Sequence, residues 1–150
     1  MPPESIIPEI TACAPQDYER MLNVWVASVR SSHDFLTDAQ IAALKPHVPE
    51  AFRKADRIDG IRNSAGEVIG FVGVTGDELD MLFVDPPAQG LGIGTALFDF
   101  ARDVLGAKRV DVNEGNHAAI RFYERRGARR VGRSERDGLG NPYPLLHYDL

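Results

Sequence analysis

The sequence predicts an α/β chain of the α+β type: one mixed, mostly antiparallel sheet with helices on both faces, its elements in the order βααβββαβαββ. Three observations lead there. Apolar residues recur at helical steps after a short first strand, a set of turn formers separates two β-like segments, and a glycine-rich turn joins a later strand to a helix. A single sheet covered on both faces buries all of these apolar stripes.

The elements follow in order. Residues 5–11 (SIIPEIT) are apolar enough for a first strand, with Pro8 confined to an edge or a bulge because it cannot donate to a ladder. From Pro15, the residues Tyr18, Met21, Leu22, Trp25 and Val29 fall on one helix face that ends near Ser31. Thr37 followed by Gln40 makes a capping box for a second helix carrying Ile41 and Leu44. Residues 57–62 and 67–75 flank Asn63, Ser64, Ala65 and Gly66, an antiparallel hairpin. A third strand puts Leu79, Met81 and Phe83 on one side and Glu78, Asp80, Leu82 and Val84 on the other, and Pro86 and Pro87 stop it. Ile93, Leu97, Phe100, Ala101 and Val104 mark a helix from about Gly92 to Leu105, closed by Gly106. Val110 and Val112 give a short strand, Asn116 caps a helix running to about Arg126, and Gly127 supplies its left-handed end. The remainder suits two antiparallel strands joined by a Gly- and Pro-rich loop. With no repeat and no linker, residues 1–150 read as a single domain.

Composition narrows the function. A net charge of −5 argues against coating nucleic acid, and the arginine-rich stretch from Arg121 to Arg136, whose aromatics Phe122 and Tyr123 stand together at one end, reads as a solvated helix end ahead of a contact for a ligand phosphate or an acidic partner. The single cysteine, Cys13, allows no intrachain disulfide and no thiol cluster for zinc. The start lacks the blocks of a secretory signal, and no apolar run reaches the roughly 18 residues of a membrane span. The expectation is a cytoplasmic protein, monomer or homodimer, with a small ligand, no metal, no nucleic acid and no membrane.

The sharpest local signal is Gln89-Gly90-Leu91-Gly92-Ile93-Gly94-Thr95 between a strand and a helix. The first N–H groups of a helix have no partner inside it, the macrodipole adds positive charge there, and glycines let phosphate oxygens approach the backbone. A Walker loop fails for want of a Lys, and a dinucleotide fingerprint counted from Gly90 meets Thr95 where glycine is required.

Gln89-x-x-Gly92-x-Gly94 at such a turn resembles the acetyl-coenzyme A pyrophosphate motif of the GNAT superfamily of N-acetyltransferases, and Asn116-x-x-Ala119-x-x-Phe122-Tyr123-x-x-x-Gly127 resembles the family's second motif. The motif match covers residues 78–127, and the order of elements resembles that fold over nearly the whole chain. The resemblance implies an acetyltransferase that uses acetyl-CoA as cosubstrate and acts on a primary amine of a small molecule, peptide or protein. It implies cofactor contacts from Leu82, Val84, Gln89, Gly90, Leu91, Gly92, Ile93, Gly94, Thr95, Asn113, Asn116 and Tyr123, with the Tyr123 hydroxyl beside the sulfur. It further implies that the strand ending at Val84 parts from the next one beside Leu82 to Val84.

Acetyl transfer by direct attack needs a neutral amine, a stabilised oxyanion and a proton for the departing thiolate. Tyr123, with a reference pKa near 10, stays protonated and serves as general acid. Glu78 and Asp80, two apart on one strand and so expected on one face, are the candidate bases. His33 and Phe35, between the first two helices, are candidates to face the acceptor, and Trp25, Tyr143 and His147 are further candidates to line its pocket. A second function fits the same motifs: a non-catalytic module that senses acetyl-CoA without turning it over.

Overall fold

The computed structural model describes residues 6–32 and 36–150. Seven strands form one sheet in the order β1-β2-β3-β4-β5-β7-β6. They are β1 (Ile6–Ala12), β2 (Arg57–Asn63), β3 (Val68–Thr75), β4 (Glu78–Val84), β5 (Arg109–Asn113), β6 (Arg129–Ser134) and β7 (Leu145–Asp149). All neighbours are antiparallel except β4 and β5. Pro8 lies where the expectation put it, on an edge strand at a register irregularity between Ile7 and Ile10.

The described residues form five helices, of which α2 packs on α1 and the others on the sheet: α1 (Tyr18–Ser32), α2 (Asp38–Leu44), α3 (Val48–Lys54), α4 (Ile93–Asp103) and α5 (His117–Arg125). The expected order had two helices before β2, and α3 is a third. Pro49 sits in the first turn of α3, where its missing N–H removes no helical bond. No helix among the described residues is long and apolar enough to cross a membrane.

Each face of the sheet has its own core. On one, Ile61, Val72, Leu79, Val110, Val112 and Leu146 from the strands meet Leu97 and Phe98 of α4 and Tyr123 of α5. On the other, Met21 and Val24 of α1 and Phe52 of α3 cover Ile58, Val68 and Phe71, with Phe52 edge-on to Phe71 at 5.4 Å. A third cluster, Trp25, Val29 and Ile41, seats α2 against α1. Gly70 of β3 lets α4 lie close, since a Cβ there would come within 2.8 Å of Ile93 Cγ2.

The predicted capping box forms at α2: Thr37 Oγ1 accepts from the Gln40 N–H at 3.1 Å, and Gln40 Oε1 accepts from the Thr37 N–H at 2.7 Å. Thr37→Ala is expected to cost about 1 kcal/mol. Chemical denaturation checks this, and an unchanged midpoint at constant m would mean that packing of Ile41 alone sets the helix.

Candidate active site

The strand-to-helix turn is anchored before it begins. The Asp85 N–H donates to the Ile69 carbonyl at 2.8 Å, and Arg20 of α1 donates to Asp85 Oδ2 at 3.1 Å and to the Val68 carbonyl at 2.9 Å. The chain then passes through a short 3-10 turn (Pro86–Ala88) and reaches Gly92, the N-cap of α4, in a left-handed conformation with φ of 81°. The first helical bond runs from the Ala96 N–H to the Gly92 carbonyl, so the N–H groups of Ile93, Gly94 and Thr95 have no carbonyl to meet inside the helix.

Arg126 of the α5 C-cap approaches the same point. Its guanidinium lies over the Phe122 ring at 3.6 Å, Nη1 donates to the Phe122 carbonyl at 2.8 Å, and Nη2 donates to Thr95 Oγ1. Its Nε is buried without a hydrogen-bond partner, one of two such side-chain atoms among the described residues. Backbone N–H groups without helical partners at a helix N-terminus, with the Arg126 guanidinium beside Thr95, make this end of α4 electropositive and able to receive an anion. The sequence alone favours a solvated helix end for this arginine over a phosphate contact. A cation four residues after Phe122 on the same helix face was the signal available for it.

From this anion site a cleft of about 720 Å³ runs between β4 and β5. The two strands are in register only at Glu78 with Arg109 and Leu79 with Val110, so from Asp80 onward the facing edge of β4 is left open, the expected splay. Leu82, Val84, Gln89, Gly90, Gly92, Ile93, Gly94, Thr95, Asn113, Asn116 and Tyr123 border the cleft. Leu91 does not: its side chain stands 49% exposed on the outside of the turn. Asn116 is the N-cap of α5, its side chain accepting from the Ala119 N–H at 3.1 Å. Tyr123, 6% exposed, packs on Phe98 and Phe122 with ring centres 5.9 and 5.2 Å away. Burial pushes its phenol above the ordinary value, so it stays neutral.

Glu78 and Asp80 share a face, as expected: Thr75, the cross-strand partner of Glu78, hydrogen-bonds to Asp80, and Asp111 acts on both carboxyls. Gly73 and Val74 of β3 pair with Met81 and Leu79, which leaves Asp80 as the extra residue of a β-bulge. The alternation resets there: Leu79, Leu82 and Val84 pack toward α4 and α5, whereas Met81 and Phe83 pack toward α1 and α3. Asp80 borders the cleft; Glu78 instead hydrogen-bonds to Asp111 of β5, which does border it. Burial and then the charge of Asp111 raise the Glu78 pKa, against Arg109, whose Nη2 is 3.8 Å from Glu78 Oε2. The Asp80 pKa is raised as well, chiefly by burial and against a hydrogen bond from Thr75. Asp111 Oδ1 meets His147 Nδ1 at 2.6 Å, and Nε2 of that ring meets Ser134 Oγ at 2.7 Å. The sequence reading gave no role to Asp111. Its signal was a lone polar residue between Val110 and Val112, matched by His147 between Leu146 and Tyr148 on the paired strand.

A second, smaller pocket of about 200 Å³ lies between α1 and the β6–β7 loop, with Trp25, Val29, Phe83, Asn113 and Tyr143 in its wall. Gln40 Nε2 donates to the Tyr143 hydroxyl at 2.5 Å and ties that loop to α2. Phe83 and Asn113 border both cavities, so the two meet beside the open edge of β4. Trp25 and Tyr143 thus line the smaller pocket and His147 borders neither cavity, while His33 and Phe35 lie outside the described residues.

Comparisons with known proteins bear on this geometry. Residues 20–128 match the model of the Acetyltransferase (GNAT) family. The chain is 37% identical over 132 residues to peptidyl-lysine N-acetyltransferase YjaB of Salmonella typhimurium, covering 88% of this chain and 90% of that one. It is 34% identical to the Escherichia coli YjaB, covering 88% and 89%. The solution structure of apo-form YjaB from Escherichia coli superimposes with a TM-score of 0.83 at 33% identity, covering 94% of this chain and 95% of that one. The fold is also that of the PaiA N-acetyltransferase from Thermoplasma acidophilum in complex with coenzyme A, with a TM-score of 0.72 at 18% identity over 95% and 98% of the chains.

Proposed function

The chain belongs to the GNAT family of acetyltransferases, and from that membership we propose that it moves the acetyl group of acetyl-CoA to the side-chain amine of a lysine in a peptide or protein. The acceptor class follows the activity of the two YjaB relatives. The observation that carries the reading is the cleft between β4 and β5, which joins an anion site at one end to Tyr123 and a group of carboxylates further along.

The residues fit the coenzyme. The N–H groups at the start of α4 and Arg126 would hold its phosphates, the open edge of β4 from Leu82 to Val84 would pair with its extended arm, and Asn113 and Asn116 would border that arm. When bound, acetyl-CoA supplies a thioester carbonyl open to attack and a thiolate leaving group. Tyr123 donates a hydrogen bond where the sulfur's charge develops. Asp80 and the Glu78–Asp111 pair attract the incoming ammonium and take its proton. Thiol release from acetyl-CoA with a panel of lysine peptides tests the reading. Coenzyme binding without release for any peptide or amine would make the domain a sensor instead.

The raised Glu78 pKa gives a pH prediction. Only its carboxylate accepts a proton, so the rate should rise with pH through a value above the ordinary glutamate range and then level off. In Glu78→Gln that inflection should vanish, the rate climbing toward the lysine pKa and lying about tenfold below the parent near neutrality, with Asp80 and Asp111 still in place. A superimposable pH–rate profile would remove Glu78 from the reaction. The same shift predicts that folding stability falls as pH rises from the unfolded glutamate value through the raised folded one, because the folded state holds the proton longer.

A further inference from the structure

Three polar side chains stand in line on the face of the sheet that α1 to α3 cover only as far as β4. The apolar clusters seating those helices contain no residue of β5, β6 or β7. There Asp111 of β5 meets His147 of β7 at 2.6 Å, and His147 meets Ser134 of β6 at 2.7 Å. Asp111 also hydrogen-bonds to Glu78 and borders the cleft, whereas the His147 side chain, 32% exposed, lies away from both cavities. A connected path therefore runs from the carboxylates at the cleft to solvent at the edge of the sheet.

We propose that the proton taken from the acceptor ammonium leaves along Glu78, Asp111 and His147, with Ser134 fixing the ring, so that His147 is a positioning and proton-carrying residue for acetyl transfer. The proposal rests on the acetyl-transfer reading above. The balance is simple. The ammonium gives one proton to the Glu78–Asp111 pair, the amine nitrogen then forms the C–N bond as the C–S bond breaks, and its second proton neutralises the thiolate. One proton per turnover remains on the carboxyl pair and must reach water before the next ammonium can be deprotonated. Imidazole serves because it can accept at Nδ1 from Asp111 and release at Nε2 through the Ser134 hydroxyl. The other charged groups facing this line are Asp80 of β4, Arg109 of β5, Asp149 two residues further along β7 and, paired with Asp149, Arg129 of β6. With Glu78 and Asp111, the carboxylates outnumber these two cations, which keeps a proton in transit favourable.

The test is the pH–rate profile of His147→Gln with acetyl-CoA and a lysine peptide. Its kcat should fall about tenfold near neutrality, with the KM for acetyl-CoA unchanged, and the deficit should shrink as hydroxide takes over at high pH. Imidazole added to the buffer should restore part of the rate. Asp111→Asn, which leaves the ring in place, should show the same pH-dependent loss without rescue by imidazole. A His147→Gln profile matching the parent overturns the relay, as does a loss that is constant with pH and insensitive to imidazole, which would mark a structural role. The order Asp–His–Ser is also that of acyl-serine enzymes. Ser134→Ala should therefore cost about threefold or less, and complete loss in that variant would replace the relay with a covalent serine. A parent that releases no thiol overturns the relay together with the reading beneath it, whereas an active parent beside an unchanged His147→Gln overturns the relay alone.

Discussion

Tyr123→Phe is expected to lower kcat about 10²-fold while leaving the affinity for acetyl-CoA unchanged. The substitution removes one hydroxyl and little else. The ring is 6% exposed and packed against Phe98 and Phe122, contacts that phenylalanine keeps. Because burial raises the phenol, full proton transfer to a thiolate is uphill, and the hydroxyl acts mainly as a neutral donor to charge growing on sulfur. Such a donor is worth more in the transition state than in the ground state, so its loss appears in kcat rather than in KM. Steady-state kinetics with a lysine peptide, beside a melting curve showing an intact fold, measures this. Full turnover with an acceptor for which chemistry limits the rate would return Tyr123 to the role of a core aromatic.

Gly92→Asp should weaken acetyl-CoA binding by about 2 kcal/mol, roughly 30-fold. The residue sits at φ of 81° at the N-cap of α4, immediately before the N–H groups that face the anion. Aspartate tolerates the left-handed region better than most residues and is a good N-cap, so the helix should survive. The cost comes from a carboxylate placed where phosphate approaches. Gly92→Ala separates the two contributions, carrying the backbone strain without the charge, and should lose less. Raising the salt concentration should narrow the gap between the two variants. Calorimetry returning parent affinity for a folded Gly92→Asp would remove the phosphate site from α4.

Where the sequence was informative, local chemistry decided the outcome. The turn formers at Asn63 to Gly66, the Thr37–Gln40 box, and the glycines at 92, 106 and 127, all at positive φ, each act over a few residues and appear where the pattern put them. The cleft was legible for the same reason, because its turn, its helix and Tyr123 fall within 50 residues of chain. What stayed hidden was set by register. The bulge at Asp80 is a property of the β3–β4 ladder, and it turns Leu82 and Val84 toward α4 and α5 and Met81 and Phe83 toward α1 and α3, the reverse of what simple alternation from Leu79 gives. The meeting of Asp111, His147 and Ser134 needs β7 to pass between β5 and β6, an order that no local pattern encodes. Arg126 reads as one more cation on a helix end until the fold brings Thr95 and Phe122 against it.

The short register between β4 and β5 also bears on how the molecule holds together. Two ladder pairs, beside the Lys108 and Arg109 N–H groups that donate to the Asp77 carbonyl, zip the four-stranded half, β1 to β4, to the three-stranded half, β5 to β7. Side chains make up the difference: Ile61, Val72 and Val74 from one half and Val110, Val112, Leu146 and Tyr148 from the other belong to a single apolar cluster roofed by α4 and α5. Cooperative unfolding of the two halves as one unit is therefore enforced by that shared roof, and thinning it would uncouple them before it melted either ladder.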